Sequence, residues 1–144
     1  MKFIIKLHPE ITIKSKSVRQ RMSKILQSNI RNVLKPLDEN IKIRSDWDKL
    51  IVRTNIFTES HRLALIESLA CIPGIQSFLE VVEHQVESLD DILTLTQEMF
   101  GDQLAGKTFC VRAKRRGQQS FSSLDVERYV GGGLNQRCDT AGVK

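Results

Sequence analysis

The chain has 144 residues, 40% of them hydrophobic and 27% charged, with a net charge of +5, which is the composition of a globular protein of one or two small domains. No apolar run approaches the ~18 residues of a membrane-spanning helix, and the N-terminus turns polar too soon for a secretory signal. The three cysteines have neither metal-ligand nor disulfide-framework spacing, so no metal site is expected and a reducing cytoplasm is the simplest location.

The first half of the chain predicts the element order β-α-β-β-α-β. Alternating apolar residues predict strands, and apolar residues at i, i+4 and i+7 predict helices. The first long helix is expected to be capped by Ser17 and to stop at Pro36. This order is that of the ferredoxin-like sandwich, with both helices on one face of an antiparallel sheet. The predicted elements are strand 2–7, helix 17–35, a hairpin around 46–48, helix 59–71 and strand 75–83.

A second unit is predicted to begin near Ser88. The spacing of Ser88 and Asp91 is that of a capping box, and Ser122 and Asp125 repeat it, so a helix is expected after each serine. Between the two helices the segment KTFCVRA, residues 107–113, alternates and predicts a strand.

Three consecutive glycines, Gly131–Gly133, fall inside the last predicted helix. They follow the helix start, whereas a nucleotide phosphate loop places its glycines before a helix in a Gly-x-x-x-x-Gly-Lys-Ser/Thr run. Each glycine costs a helix roughly 1 kcal/mol relative to alanine. The run therefore indicates close backbone packing, a kink or a helix end rather than a phosphate cradle.

The charges are strongly segregated along the chain. Residues 1–36 hold nine Lys or Arg and one acid, residues 59–105 hold nine acids and one Arg, and residues 106–144 hold eight cations and three acids. Clustered cations predict a polyanionic partner, because they release the counterions condensed on nucleic acid. For either basic block alone, a merely solvated surface is the alternative.

The densest cations lie between the predicted strand and the last helix, in residues 112–123, here termed the basic segment. Its glycine permits a turn, its serines add hydroxyl donors, and the start of the next helix offers N–H groups and a positive dipole end. Together these features predict an anion site, with a solvated loop and a serine cap as the alternative. The predicted contact residues are Arg112, Lys114, Arg115, Arg116, Gly117, Ser120, Phe121, Ser122 and Ser123.

Nucleic acid is the anion that the sequence favours. A membrane surface would need several exposed large apolar residues beside the cations, and only Phe121 is available. Phe121 could stack on a base, although an apolar anchor under the loop is the more common role. A second footprint is predicted on the basic block of residues 14–35, at Lys14, Lys16, Arg19 and Lys24. No catalytic motif is visible, so no catalytic residue is assigned.

The runs MKFIIKLHPEITIKSKSVRQRM and FCVRAKRRGQQSFSSLDVERYVGGGLNQ closely resemble the N-terminal half of the bacterial tRNA 4-thiouridine synthetase (tRNA uracil 4-sulfurtransferase) family. The resemblance covers essentially the whole chain. It implies an α+β fold, with a ferredoxin-like domain at 1–60 and a THUMP RNA-binding domain at 61–144 that lacks its C-terminal strands. The helix and strand at 59–84 are shared with, or adjoin, the second domain.

The resemblance also implies a function. The two domains would grip the acceptor and 3′ end of tRNA, with Arg128 joining the contact residues, while a missing ATP-pyrophosphatase domain would use ATP and sulfur from a cysteine desulfurase. The portion alone would be inactive, and the unfinished sheet could support a homodimer. The family also serves thiamine thiazole synthesis. Gln119 stands where the family commonly has His.

Two other functions remain open on the residues alone. The basic ends and the acidic middle could make the chain an adapter between protein surfaces. Alternatively, a ferredoxin-like scaffold could bind a small phosphorylated ligand through the basic segment or through Cys110.

Overall fold

The computed structural model describes residues 1–46, 48–115, 117 and 120–144, and the chain divides into two compact units, Met1–Glu83 and His84–Lys144. The segment 59–84, which the sequence left between two domains, lies in the first unit apart from its last residue. Among the described residues, no helix is both long enough and apolar enough to cross a bilayer.

The first unit has the predicted βαββαβ order, with one additional short helix. Its strands form an antiparallel sheet in the order β2-β3-β1-β4, which confirms the ferredoxin-like prediction. The long helix follows Ser15, whose side chain makes no capping bond, so the prediction of Ser17 as its cap was wrong. The elements are β1 (Lys2–Leu7), α1 (Pro9–Thr12), α2 (Lys16–Leu34), β2 (Lys42–Asp46), β3 (Lys49–Arg53), α3 (Glu59–Ala70) and β4 (Ile75–Val81).

The core of the first unit lies between the sheet and the helices α2 and α3. Alternate residues of β1 and β3 are buried on the helix-covered face, and each fully buried side chain of this size contributes about 1.5–3 kcal/mol. From α2 the core takes residues spaced by four, because these lie on one helical face. Its fully buried members include Phe3, Ile5, Ile30, Leu34, Leu50, Val52, Leu65 and Leu69.

The second unit is smaller and is built on two packed helices. Both predicted capping boxes, at Ser88 and at Ser122, are confirmed. Its buried cluster consists of Leu93, Val130 and Leu134 among the described residues. The elements are α4 (Leu89–Phe100), a 3₁₀ turn (Gly101–Leu104), β5 (Thr108–Phe109), α5 (Ser123–Arg137) and β6 (Gly142–Val143).

The strand predicted over 107–113 is much shorter in the structure. Only Thr108 and Phe109 pair, in parallel with Gly142 and Val143 of β6. The alternation nevertheless has a packing cause, because Phe109 and Val111 lie against the buried cluster of the second unit. The pattern thus identified the buried face correctly, and the partner strand sets how far the pairing runs.

The glycine run packs against the rest of the second unit. A Cβ at Gly133 would overlap the buried side chain of Leu93 in α4, and one at Gly131 would lie 3.2 Å from Val143 Cγ2. At Gly132, no atom of the described residues beyond the local helix backbone lies within 4 Å of such a Cβ. The prediction of close backbone packing is therefore confirmed at two of the three positions.

Candidate nucleic-acid interface

The start of α5 is closed by a reciprocal capping box. The Asp125 N–H donates to Ser122 Oγ at 3.2 Å, while the N–H and the hydroxyl of Ser122 donate to Asp125 Oδ2 at 2.8 and 2.7 Å. These bonds, first from the Ser122 amide and then from its hydroxyl, hold the pKa of Asp125 below its usual value, and the Arg128 charge adds to the effect.

This capping box changes how the basic segment can hold an anion. The Ser122 hydroxyl and two amides at the helix start already bond within the chain. The Asp125 carboxylate also places a negative charge where the helix dipole would otherwise favour an incoming phosphate. An anion at this end of α5 would therefore be held chiefly by the neighbouring cationic side chains.

One group of the predicted residues lines a groove beside the start of α5. Lys114 and Arg115 are exposed there, and Arg115 Nη1 donates to the Phe121 carbonyl oxygen at 3.5 Å. Phe121 is half-buried, as expected of an apolar anchor under the loop. The groove has a volume of about 250 Å³ and is lined by Val86, Ile92, Ala113, Lys114, Arg115, Phe121, Ser122, Ser123 and Val126.

Arg112 and Arg128 line a different groove, on another face of α5. Arg112 Nη1 lies 3.9 Å from Glu127 Oε2, and its side chain is 76% exposed. Glu127 Oε1 accepts the Ala113 N–H at 3.0 Å, so this carboxylate fastens the start of the basic segment to α5. This groove, of about 340 Å³, is lined by Val111, Arg112, Leu124, Glu127, Arg128, Gly131, Gly132, Val143 and Lys144.

Two described residues of the basic segment, Gly117 and Ser120, line neither groove. Gly117 has a φ of +86°, the left-handed conformation for which the sequence singled it out. Ser120 is exposed. Arg116, a predicted contact, and Gln119, which replaces the common His, lie outside the described residues.

The second predicted footprint is partly assembled in the first unit. Lys16, Arg19 and Lys24 lie along α2 around a shallow pocket of about 410 Å³, which Ser45 of β2 also lines. Gln27 of the same pocket donates from Nε2 to the Ile43 carbonyl oxygen at 2.9 Å and fastens this face of α2 to β2. Lys14 is exposed in the turn before α2.

The sequence reasoning missed a basic face on the sheet itself. Lys6 of β1 and Lys42 and Arg44 of β2 are exposed on the side away from the helices. Their signal in the sequence is the set of basic residues that alternate with apolar ones in KFIIKL, residues 2–7, and IKIRS, residues 41–45. These residues form one surface because the sheet order places β1 and β2 on either side of β3.

Comparison with known families matches both units. Residues 2–78 match the ThiI ferredoxin-like domain, and residues 86–144 match the THUMP domain. The chain belongs to the ThiI family. The resemblance inferred from the sequence is thereby confirmed, and so is the succession of a ferredoxin-like domain by a THUMP domain.

Curated relatives of this ThiI-family chain carry the name tRNA sulfurtransferase. Those of Aeromonas hydrophila, Tolumonas auensis and Shewanella woodyi are 62%, 58% and 54% identical to it over all 144 residues. The chain spans 30% of the length of these relatives.

Two solved structures share the fold. The crystal structure of PH1313 from Pyrococcus horikoshii superposes with a TM-score of 0.74 at 27% identity, over the whole of this chain and 47% of the other. A 4-thiouridine synthetase, solved as an RNA complex with bound ATP, gives a TM-score of 0.69 at 20% identity, over 99% of this chain and 35% of the other. At this identity the second match shows the fold alone.

Proposed function

We propose that this chain is the tRNA-binding portion of a tRNA sulfurtransferase and grips the acceptor and 3′ end of tRNA. The observation that carries the proposal is the pair of cation-lined grooves on α5, within the residues that match the THUMP domain. The name of the curated relatives, tRNA sulfurtransferase, supports tRNA as the ligand.

The chemistry of the first groove suits an unpaired RNA end. Lys114 and Arg115 are exposed at the groove and can neutralise phosphates, while Ile92 and Val126 line an apolar part that water solvates poorly. Splayed bases of single-stranded RNA can lie on such a surface, whereas paired bases are held within their stack. This difference favours a free 3′ end over a helical stem at this groove.

Thiolation would require residues beyond this portion. Gly131–Gly133 lie within α5, and two of them pack against other side chains, so this run is not a phosphate cradle. In the proposal, the remainder of a longer cytoplasmic protein binds ATP and receives sulfur from a cysteine desulfurase. The same remainder would also serve thiamine thiazole synthesis. The portion alone binds RNA without modifying it.

The proposal is tested by fluorescence anisotropy with intact tRNA and with tRNA that lacks its 3′-terminal nucleotides. Intact tRNA should bind with a steep salt dependence, and removal of the 3′ end should weaken binding. Lys114→Glu combined with Arg115→Glu should raise Kd roughly tenfold or more, because two phosphate contacts become repulsions. Lys35→Glu with Lys107→Glu changes the net charge equally and is the control.

An equal loss of tRNA affinity in the groove variant and the control variant would mean that net charge, rather than the groove, causes binding. No binding of tRNA at low salt would reject the proposed function. A rise in melting temperature with micromolar concentrations of a small phosphorylated compound, without tRNA binding, would favour the small-ligand alternative instead.

A further inference from the structure

The sheet of the first unit has one face against the helices and a second face on the opposite side. Phe3 and Ile5 of β1, like Leu50 and Val52 of β3, are fully buried on the helix side. Side chains alternate along a strand, so their immediate neighbours project from the opposite side, here termed the outer sheet face. Leu79 of β4 is 54% exposed on this face.

Strand pairing arranges the outer sheet face as three rows across four strands. One row runs Lys42, Arg53, Lys2, Val81, the next Arg44, Ile51, Ile4, Leu79, and the third Asp46, Lys49, Lys6, Ser77. Strands lie ~4.8 Å apart and alternate residues ~6.8 Å apart, so the rows cover roughly 15 by 14 Å. Six of these side chains are cations and one is an acid.

The cations fall into two groups by their partners. Arg53 Nη2 lies 3.0 Å from Glu83 Oε2, Lys2 also contacts Glu83, and Lys49 Nζ lies 3.4 Å from Asp46 Oδ2. Among the described residues, the exposed cations Lys6, Lys42 and Arg44 have no acidic partner. The outer sheet face thus retains a net positive charge after its own ion pairs are formed.

We propose that the outer sheet face, through Lys6, Lys42 and Arg44, is a second RNA-contacting surface, distinct from the grooves of the THUMP unit. The inference rests on the proposed function, since it takes RNA as the partner of the chain. Charge complementarity identifies the occupant as a polyanion, and four-stranded sheets of this kind can carry single-stranded RNA on an open face.

The chemistry of the face determines what it can recognise. Base-stacking sheets present aromatic rings, whereas the middle row here presents the aliphatic Ile51, Ile4 and Leu79. Aliphatic groups cannot reproduce base–aromatic stacking, so the contact is to the phosphate backbone and does not depend on base sequence. A membrane surface fits less well, because Ile4 and Ile51 are half-buried and only Leu79 of the row is an exposed apolar side chain.

The test compares two triple variants that lose the same charge. Lys6→Gln, Lys42→Gln and Arg44→Gln remove the cations of the outer sheet face, while Arg62→Gln, Lys107→Gln and Arg137→Gln remove scattered cations. The first set should raise Kd for tRNA about tenfold or more near 0.1 M salt. It should also reduce the slope of log K against log salt by about one for each lost phosphate contact. The scattered set should change both much less.

A second measurement uses the unaltered chain and so does not depend on the folding of a variant. Bound tRNA should protect Lys6 and Lys42 from acylation, as measured by mass spectrometry, while Lys107 continues to react. Unchanged acylation of both lysines, or equal losses in the two triple variants, would overturn the inference while leaving tRNA binding by the THUMP grooves intact. Binding of phosphatidylserine vesicles through these lysines, with no effect of tRNA on them, would overturn it in favour of a lipid surface.

Discussion

Asp38 is a buried carboxylate in the first unit, and it is held by a small polar cluster. Thr54 Oγ1 donates to Asp38 Oδ2 at 2.6 Å, and the Asn40 N–H donates to Oδ1 at 2.8 Å. His61 Nε2 lies 3.3 Å from the same Thr54 hydroxyl. The Thr54 bond is the main cause that holds the pKa of Asp38 below its usual value; burial opposes this effect, and Asn40 and His61 reinforce it.

Asp38→Asn should lower the free energy of unfolding by roughly 1–3 kcal/mol at pH 7, because a buried charged acceptor is lost from two hydrogen bonds. A carboxylate with a depressed folded pKa stabilises the fold above its unfolded pKa of about 3.9, and this contribution is lost as pH falls through the folded pKa. The difference between variant and wild type should therefore shrink below about pH 4. Urea unfolding at several pH values measures this difference in the free energy of unfolding.

Glu39→Gln is the matched control, since Glu39 is the exposed neighbour of Asp38. Its effect should stay within about 0.5 kcal/mol at every pH. An Asp38→Asn variant as stable as wild type at pH 7, or equally destabilised at pH 3 and pH 7, would contradict the assigned role.

At the scale of elements, the packing of α5 on α4 depends on which glycine of the run faces Leu93. Gly133→Ala should destabilise the second unit by about 1–3 kcal/mol, because its Cβ would enter the space of the buried Leu93 side chain. The added methyl of Gly132→Ala meets no described atom beyond the local helix backbone within 4 Å, so this variant should stabilise the helix by about 0.5–1 kcal/mol. Thermal unfolding followed by circular dichroism compares the two.

The opposite signs are the critical result, because both variants gain the same methyl group and the same helix propensity. Combining Gly133→Ala with Leu93→Ala should show an interaction energy, since the smaller side chain vacates the contested space. Equal stabilisation by both glycine variants would mean that α4 and α5 do not pack as described.

Element order could be predicted from the sequence because it depends on local periodicity and capping. The boxes at Ser88 and Ser122 involve residues three apart, and both formed as predicted. Strand length was less accessible, because the pairing of Thr108–Phe109 is limited by a partner more than thirty residues later. The cap of α2 was misplaced because Ser15 and Ser17 are both plausible caps by composition.

In the candidate site too, local features could be predicted from the sequence and features that depend on the fold could not. A contiguous basic segment was visible in the sequence, but its separation into two grooves follows from the way Glu127 and the capping box fix the chain against α5. The outer sheet face was not visible, because its cations come from three strands and are interleaved with core residues. Surfaces assembled by strand pairing need the topology before their charge can be recognised.

At the scale of the whole chain, the first unit should be more stable than the second. Among the described residues, the first unit buries fourteen apolar side chains beneath a four-stranded sheet, whereas the second buries three and pairs only two residues per strand. Buried apolar area is the main source of stability, and a short two-stranded pair adds little. Amide exchange across a urea series should therefore show α4 and α5 losing protection at lower urea than β1 and β3. A fragment of residues 1–83 should keep the amide protection that β1 has in the full chain. If both units of the full chain lose protection at the same urea concentration, they unfold as one and the prediction is wrong.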